Sequence, residues 1–556
     1  MFDLLWMTED PVVNRVPSFD DLFIENLDLN FLVEAMFEGM ESKINALHLC
    51  NLFALDKNIV RERQNLIKSL QRHPDLLDLF KDLLKTIADW QDFFSIPNMD
   101  DSTSDLEAFF AMNKYAFAET YFNILEKLYT TLGKYQDEKE LGYGLKQFYA
   151  YVKDAYESDG YKKIIQTWKE RLPALEDPKS ITLGFNFNES FEITHVKLLS
   201  VNDYGYIEPR EREPKTNMPS KRGMTEFYRL KDDLANHSGF NMGDMTKQTA
   251  SSQSATHASE GVRMSNFVRG ALGACVGEAG LRVRDFLKQA TRWILNLKQS
   301  LTFYVGVFNY LNKIEALGGA YCFPEIFDDK RYYARELYLP LLLLVLKGSR
   351  PVIPNDIDFV PEGQFALLTG ANQGGKTTFL RSVGVGQLMF QLGMPVGAKE
   401  AKMGLVDNIF TVFALKEEVS TTKKGKFDQE IARVGNMMNY ITCNSMVLFN
   451  EPLTGTGTAE TLIISREITS TIKLLGARGI WVTHLHKLAK DIHRLNSMLG
   501  GAPLKSLVVQ IKRHESNQYN VPTYHLIEKE PEGTSHAYDV VERFGLKLDR
   551  VNVNDK

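Results

Sequence analysis

One twenty-residue stretch constrains the fold more than any other. Phe365-Ala-Leu-Leu-Thr reads as a buried strand, Gly370-Ala-Asn-Gln-Gly-Gly-Lys376 as a glycine-rich loop, and Thr377-Thr-Phe-Leu-Arg-Ser-Val-Gly as the start of a helix. Strand, loop and helix in this order are the elements of an α/β domain in which backbone N–H groups and a helix N-terminus surround phosphate oxygens. Within the G-x-x-x-x-G-K-T pattern, Lys376 supplies a cation to the outer phosphates and Thr377 a hydroxyl ligand for Mg²⁺. The competing reading is a chance glycine turn before a helix, which the full pattern in this context disfavours.

Two further strands carry residues that such a loop needs beside it. Ser445-Met-Val-Leu-Phe ends in Asn450-Glu451, a pair suited to a metal-associated residue and a carboxylate that orients or deprotonates water. Taken alone, Glu451 is equally well a strand cap in an acidic loop. Gly479-Ile-Trp-Val-Thr483 runs into His484-Leu-His486, which offers an imidazole at a strand end. A zinc reading fails for want of a ligand cluster, so a phosphate sensor or a plain polar strand end remain.

Upstream the pattern changes. From about Phe31 to Leu172 apolar residues recur three and four apart, as in Leu66-Ile-Lys-Ser-Leu, and predict a helical bundle with ends at His73-Pro74 and Ile96-Pro97. From Ile181 to Ile207 the period shortens to that of strands. Residues 208–261 mix alternating charges with a Ser/Thr-rich tract, the composition of a mobile arm unable to bury a core. Helical periodicity returns from Val268 to Leu317, as one long helix or two, with a lever-like element as one reading.

At 556 residues the chain exceeds one hydrophobic core, and 44% apolar with 24% charged residues is ordinary globular composition. Its four scattered cysteines, Cys50, Cys275, Cys322 and Cys443, form no zinc or disulfide pattern and read as reduced thiols. The start lacks a signal-peptide pattern, and the longest apolar run, Leu337 to Leu346, is too short for a bilayer. The expectation is a cytoplasmic protein with no membrane partner. A net charge of -6 gives no global footprint for nucleic acid, although a local basic channel is compatible with it.

Thr369-Gly-Ala-Asn-Gln-Gly-Gly-Lys-Thr-Thr-Phe-Leu-Arg381 closely resembles the Walker A segment of the DNA mismatch repair MutS family, T-G-P-N-M-G-G-K-S-T-x-x-R. Asn372 and Arg381 distinguish that family from generic loops. In register with it, Val352-Ile-Pro-Asn-Asp-Ile resembles F-I-P-N-D, Val396-Gly-Ala398 resembles I-G-A, and Asn450-Glu-Pro-Leu-Thr-Gly-Thr-Gly-Thr458 resembles D-E-x-G-R-G-T-S-T. Val482-Thr-His-Leu-His-Lys-Leu488 is similar to A-T-H-Y-H-E-L; Arg61-Glu-Arg-Gln-Asn-Leu-Ile and Cys322-Phe-Pro-Glu-Ile are similar, more loosely, to the family's core and lever.

The resemblance implies a multidomain chain, a mainly α-helical core and lever region followed by an α/β P-loop (ABC-type) ATPase domain. It divides the chain into residues 1–180 as helical core, 181–265 as extended segments and mobile arm, 266–332 as lever-type helices, and 333–556 as a MutS-type ABC ATPase domain. It implies ATP and Mg²⁺ as cofactors. Gly370, Ala371, Asn372, Gln373, Gly374, Gly375, Lys376, Thr377 and Thr378 would hold ATP, and Thr377 and, through water, Asn450 would hold Mg²⁺. Glu451 would activate water and His484 sense the terminal phosphate. A homodimer with composite ATP sites and a DNA partner, mismatched, branched or an end, complete the implication, with the protein DNA-associated in the cytoplasm.

Three departures from the family qualify it. Asn450 replaces the usual Asp, so it orients a metal-bound water without adding negative charge. Gly425-Lys426-Phe427-Asp-Gln-Glu430 replaces S-T-F-x-x-E, so the serine that reaches the partner's nucleotide is absent, with Lys426 either a substitute cation or a solvated lysine. The chain is expected to lack the family's mismatch-reading domain, and Phe23-Ile-Glu25, lacking a preceding glycine, reads as an ordinary loop or helix start rather than a base-stacking motif. Basic residues of the arm, Arg210 to Lys231 with Tyr228, either contact phosphates or form a charge-balanced loop. The function expected is an ATP-dependent DNA-binding clamp. The alternative is a nucleotide-binding structural or regulatory clamp with little turnover, and a transporter ATPase subunit is weaker still.

Overall fold

A computed structural model describes residues 3–6, 19–95, 104–139, 141–171, 180–187, 193–202, 291–414, 426–453, 455, 457–513 and 520–531. The chain forms two compact units, one of Met1–Ala88, Thr131–Tyr149 and Asn296–Lys556, the other of Asp89–Thr130 and Ala150–Leu295.

The helical periodicity of the first third becomes α1 (Asp21–Asn26), α2 (Leu29–Phe37), α3 (Ala46–Cys50), α4 (Lys57–Arg72), α5 (Pro74–Ser95), α6 (Ser104–Gly133), α7 (Tyr143–Glu157) and α8 (Asp159–Arg171). Local chemistry sets their ends. Asp20 and Asp56 cap α1 and α4 by accepting from Phe23 N and Asn58 N. α4 stops at Arg72 because Pro74 cannot extend it and instead opens α5. Phe23 is buried within α1 and meets the Phe19 ring at 4.4 Å, a core position and not an exposed stacking surface.

α4 buries Val60, Ile67 and Leu70 on one face together with two polar side chains. Arg63 Nε donates to Leu5 O at 2.9 Å and Nη1 to Leu52 O at 2.5 Å, and Gln64 Nε2 donates to Pro324 O at 3.1 Å. The segments around Arg61 and Cys322 thus meet through Gln64. Burial holds the Arg63 guanidinium down to about 10, against the opposing pull of Tyr304 and Asp3.

In the second unit, backbone strands β1 (Ser180–Phe187) and β2 (Ile193–Asn202) pair antiparallel. Its helices bring Trp90 against Tyr121 and stack Tyr129 on Tyr156 at 4.2 Å. The arm expected over 208–261, and residues 268–290 of the expected lever helices, lie outside the described residues. The remainder of that stretch includes α9 (Lys298–Ala316), an interior helix buried on nearly every side and packed on α2.

The remaining strands are β3 (Glu325–Phe327), β4 (Tyr332–Leu337), β5 (Asn355–Phe359), β6 (Phe365–Thr369), β7 (Glu400–Gly404), β8 (Ile409–Phe413), β9 (Met446–Asn450), β10 (Arg478–Val482), β11 (Leu504–Arg513) and β12 (Asn520–Glu528). The helices among them are α10 (Pro340–Leu346), α11 (Lys376–Gln391), α12 (Lys426–Met438), α13 (Thr458–Leu475), α14 (His486–Lys490) and α15 (Ile492–Met498).

Six strands form a sheet in the order β12-β11-β6-β10-β9-β8, parallel except for β12 at one edge. Strands buried on both faces require apolar side chains on both, which is why β6, β10 and most of β9 read as continuous apolar runs. One face sets Phe365, Leu367, Phe449 and Trp481 against Ile468 and Ile472 of α13 and Leu488 of α14. α11 covers the opposite face. A four-stranded sheet, β3-β7-β4-β5, packs on the far side of α11, where the Tyr332 hydroxyl donates to Val383 O at 3.1 Å.

Candidate functional site

β9, β10 and β6 are adjacent and parallel, so their carboxyl ends lie along one edge of the sheet. Each ends in residues singled out by sequence: β6 in the 370–375 loop, β9 in Asn450-Glu451, and β10 in Thr483-His484. The crevice outside such strand ends is where open α/β sheets place ligands.

Gly375, at φ 85°, is the N-cap of α11, and no side chain caps that helix. A left-handed residue there costs glycine little and leaves the first N–H groups of α11 available to an anion. A Cβ on Gly374 would stand 2.9 Å from Ala371 O and 3.0 Å from Val509 Cγ1, so the loop is as tight as its own backbone allows.

Lys376 is only 5% exposed, and its Nζ donates to Gly370 O at 2.8 Å and to Ala371 O at 3.2 Å. The same ammonium lies 3.9 Å from Glu451 Oε1, which accepts from His484 Nε2 at 2.7 Å. Hydrogen bonding from His484 is the main cause that holds the Glu451 carboxyl below the usual carboxylate value, with Lys376 contributing and burial opposing. Burial holds Lys376 below the ordinary lysine value, against the pull of Glu451. Beside this chain the Thr377 hydroxyl donates to Asn450 Oδ1 at 3.1 Å.

Glu451 has φ 52°, and its N–H donates to Val482 O at 2.9 Å. A non-glycine residue in this region costs of order 1–3 kcal/mol. The turn directs a carboxylate back over the strand ends, toward Lys376 and His484, instead of onward into the following loop. His484 and His486 part company: His486 lines a separate cavity of about 230 Å³ behind Gly370, with Thr369 and Val509.

The loop opens into a cavity of about 670 Å³. Asn372 to Thr378 and Glu451 form its polar end; Leu342, Leu346, Val352 and Ile353 form an apolar end. A volume in this range fits a small organic ligand with a charged tail and a flat apolar head. Tyr524, Arg350 and the α10 leucines also line it, and the motifs did not reveal them. Asn355 of the lead-in gives an indirect signal: its Nδ2 donates to Tyr524 O at 3.0 Å and its Oδ1 accepts from Leu526 N at 2.7 Å, which fixes β12 over the loop.

Arg381 leaves the cavity. Its Nε donates to Asn26 O at 2.8 Å and Nη1 pairs with Asp28 at 2.5 Å, so α11 is tied to the turn between α1 and α2. Of the 425–430 segment, Glu430 is buried and accepts from Gly455 N at 3.4 Å, whereas the Lys426 side chain lies outside the described residues.

Residues 366–549 match the family model described as MutS domain V. Over this region the chain is similar to proteins named DNA mismatch repair protein MutS. The one from Acetivibrio thermocellus is 32% identical over 181 residues, 32% of this chain and 21% of the relative. Those from Methanothrix thermoacetophila and Chloroflexus aurantiacus are 32% and 34% identical over 176 and 177 residues, 20% and 18% of the relative, and 32% and 31% of this chain. The matched region therefore spans about a fifth of the length of these relatives. Over residues 366–549 the chain is thus similar to MutS domain V, and its likeness to these relatives covers about a third of the chain.

Proposed function

We propose that the chain is an ATP-dependent DNA-binding clamp of the MutS type, acting in DNA repair or recombination as a homodimer with composite ATP sites. The observation that carries this reading is the meeting of Lys376, Thr377, Asn450, Glu451 and His484 at the ends of three neighbouring parallel strands, within a region similar to MutS domain V. The domain is of the ABC-type P-loop class in this reading, and the protein acts in the cytoplasm on mismatched, branched or end DNA. Among the described residues no helix is long and apolar enough to cross a membrane.

The residues fit a nucleoside triphosphate with Mg²⁺. The cradle at Gly374 is one a Cβ would crowd, the α11 start is uncapped, and Lys376 is a buried cation that donates to two backbone carbonyls and keeps a further N–H for a phosphate oxygen. Residues 370–378 would hold the phosphates, and Thr377 and, through water, Asn450 the metal. Bound Mg²⁺ would supply charge that neutralises the phosphate oxygens during transfer. The chain's own work is to orient water. Glu451, kept ionised by His484, accepts a water proton in a hydrogen bond, and its lowered proton affinity suits it to aligning water more than to removing its proton. His484 fixes the carboxylate's direction, and in this reading it senses the terminal phosphate.

A second reading, a nucleotide-dependent clamp with little or no turnover, is favoured by one feature. Asn450 meets Thr377 with a neutral amide oxygen, so the metal side of the site carries no carboxylate on that strand. Phosphate release from purified protein separates the two. Turnover that disappears in Glu451→Ala supports the enzyme, and tight ATP binding with no release above background leaves the regulatory clamp.

A further inference from the structure

A second cavity, of about 810 Å³, lies away from the strand ends, between α4 and the α6–α7 turn with the start of α7. Its charged lining is strongly one-sided: Lys68, Arg72, Lys139 and Lys146 against Glu62. This concentration occurs in a chain whose net charge is -6.

The single lining carboxylate is already engaged. Glu62 Oε2 accepts from Tyr143 N at 2.8 Å, capping the first turn of α7, and Oε1 accepts from Asn65 at 3.4 Å. Arg72 shares the neighbouring Glu138 with His73, at 3.3 and 2.8 Å respectively. Lys139 and Lys146 have no ion pair among the described residues, and the Lys68 ammonium rests over the Phe323 ring at 4.8 Å. Burial and then the Arg72 guanidinium hold Lys68 below the ordinary lysine value, the signature of a cation without a balancing anion. Lys68 and Arg72 are one helical turn apart on the same face of α4, so their charges act on a ligand together.

We propose that the α4–α7 groove binds the phosphodiester backbone of a nucleic acid. Several flexible ammonium groups around an opening much larger than one phosphate suit a chain of phosphates, which needs charge more than shape. Gln71 adds an amide donor of the type that positions phosphates. The groove does not suit an acidic protein segment, because a protein partner needs a desolvated apolar centre. Leu141, only 4% exposed, is the one aliphatic residue larger than glycine in the lining. The one large ring there, Tyr143, is 54% exposed, where an unpaired base can stack on it. This contact is separate from the nucleotide site and needs neither ATP nor turnover.

The test is fluorescence anisotropy of the full chain with labelled single-stranded and duplex oligonucleotides at about 50 and about 200 mM salt. Compared with wild type are Lys68→Glu/Lys146→Glu, the milder Lys68→Gln/Lys146→Gln, and a control, Lys43→Glu/Lys85→Glu, which changes net charge equally at exposed positions elsewhere. The groove reversal is expected to weaken binding at least about tenfold and to reduce the salt slope by about two, the Gln pair less, and the control less than about twofold. Groove variants that bind like the control overturn this inference alone. A wild-type chain that binds no oligonucleotide overturns it together with the DNA-clamp reading, and one that binds polyglutamate through these lysines but not DNA assigns the groove to an acidic protein.

Discussion

At the ends of β6, β9 and β10 the charged groups face one another. Lys376 meets Glu451 and two carbonyls, and Glu451 meets His484. In the α4–α7 groove Arg72 pairs with Glu138 at the margin, whereas Lys68, Lys139 and Lys146 meet no carboxylate in an ion pair among the described residues, and the only lining carboxylate is turned to backbone and amide donors. The first arrangement is pre-organised on rigid strand ends and holds its groups in place before any ligand arrives. The second stores unbalanced charge on helix surfaces, where long side chains move and salt screens them. In the functions proposed for them, the first directs chemistry at a point and the second holds a polyanion along a line.

That contrast can be broken at several points. The largest effect is expected from Glu451→Ala, which should lower phosphate release by about 10²–10⁴-fold while leaving nucleotide affinity within a small factor. Single-turnover and equilibrium binding measurements on the same preparation check it. Equal loss of binding and turnover would show that the carboxylate holds the site together and does not act on water. Lys376→Ala should cost about 10–100-fold in ATP affinity, measured by calorimetry, because one charge-assisted contact to phosphate is lost. The groove reversals should leave that affinity unchanged.

The pH dependence sharpens the contrast further. Glu451 has a folded-state value below its ordinary 4.5, so its contribution to stability is complete above that value and is lost as pH falls through the lowered one. Lys376 sits below its ordinary 10.5, so raising the pH strips its proton earlier than from a free lysine. ATP affinity should therefore be flat near neutrality and weaken on the alkaline side before 10.5, with proton uptake on binding there. Affinity unchanged up to that value would remove Lys376 from the phosphate contact.

Smaller effects are expected at two supporting residues. Asn450→Asp adds a carboxylate beside Thr377 and should lower the Mg²⁺ concentration needed for half-maximal turnover several-fold. Arg381→Ala removes the tie from α11 to Asn26 and Asp28, a loss of about 1 kcal/mol, read as a fall of about 2–4 °C in the melting midpoint.

The site was more legible in the sequence than the surroundings it depends on. Strands at 365–369, 446–450 and 478–482 follow from apolar runs bounded by glycine and polar residues, and the 370–375 loop from its own glycines. Helix ends at His73-Pro74 follow from proline chemistry. Other features had no local mark. Tyr524 reaches the cavity because β12 pairs with β11 and is tied to Asn355. Lys68, Arg72, Lys139 and Lys146 sit in stretches with interspersed acids and look balanced when read in line, since Glu138 and Asp137 neighbour Lys139 in sequence. Phe23 carries the residue type of a stacking motif, and burial in α1 decides that it is core.

The sequence by itself determined the local form of each segment: a glycine loop ahead of a helix, a buried strand that ends in Asn450-Glu451, a strand that ends in His484. These are properties of short stretches, fixed by backbone conformation and side-chain chemistry. Tertiary structure alone decided which charges face each other. Parallel pairing of β9, β10 and β6 brings Glu451 to Lys376 and His484, and helix packing leaves four cations around one engaged carboxylate. Electrostatic energy depends on distance through space and on burial, neither of which separation along the chain encodes.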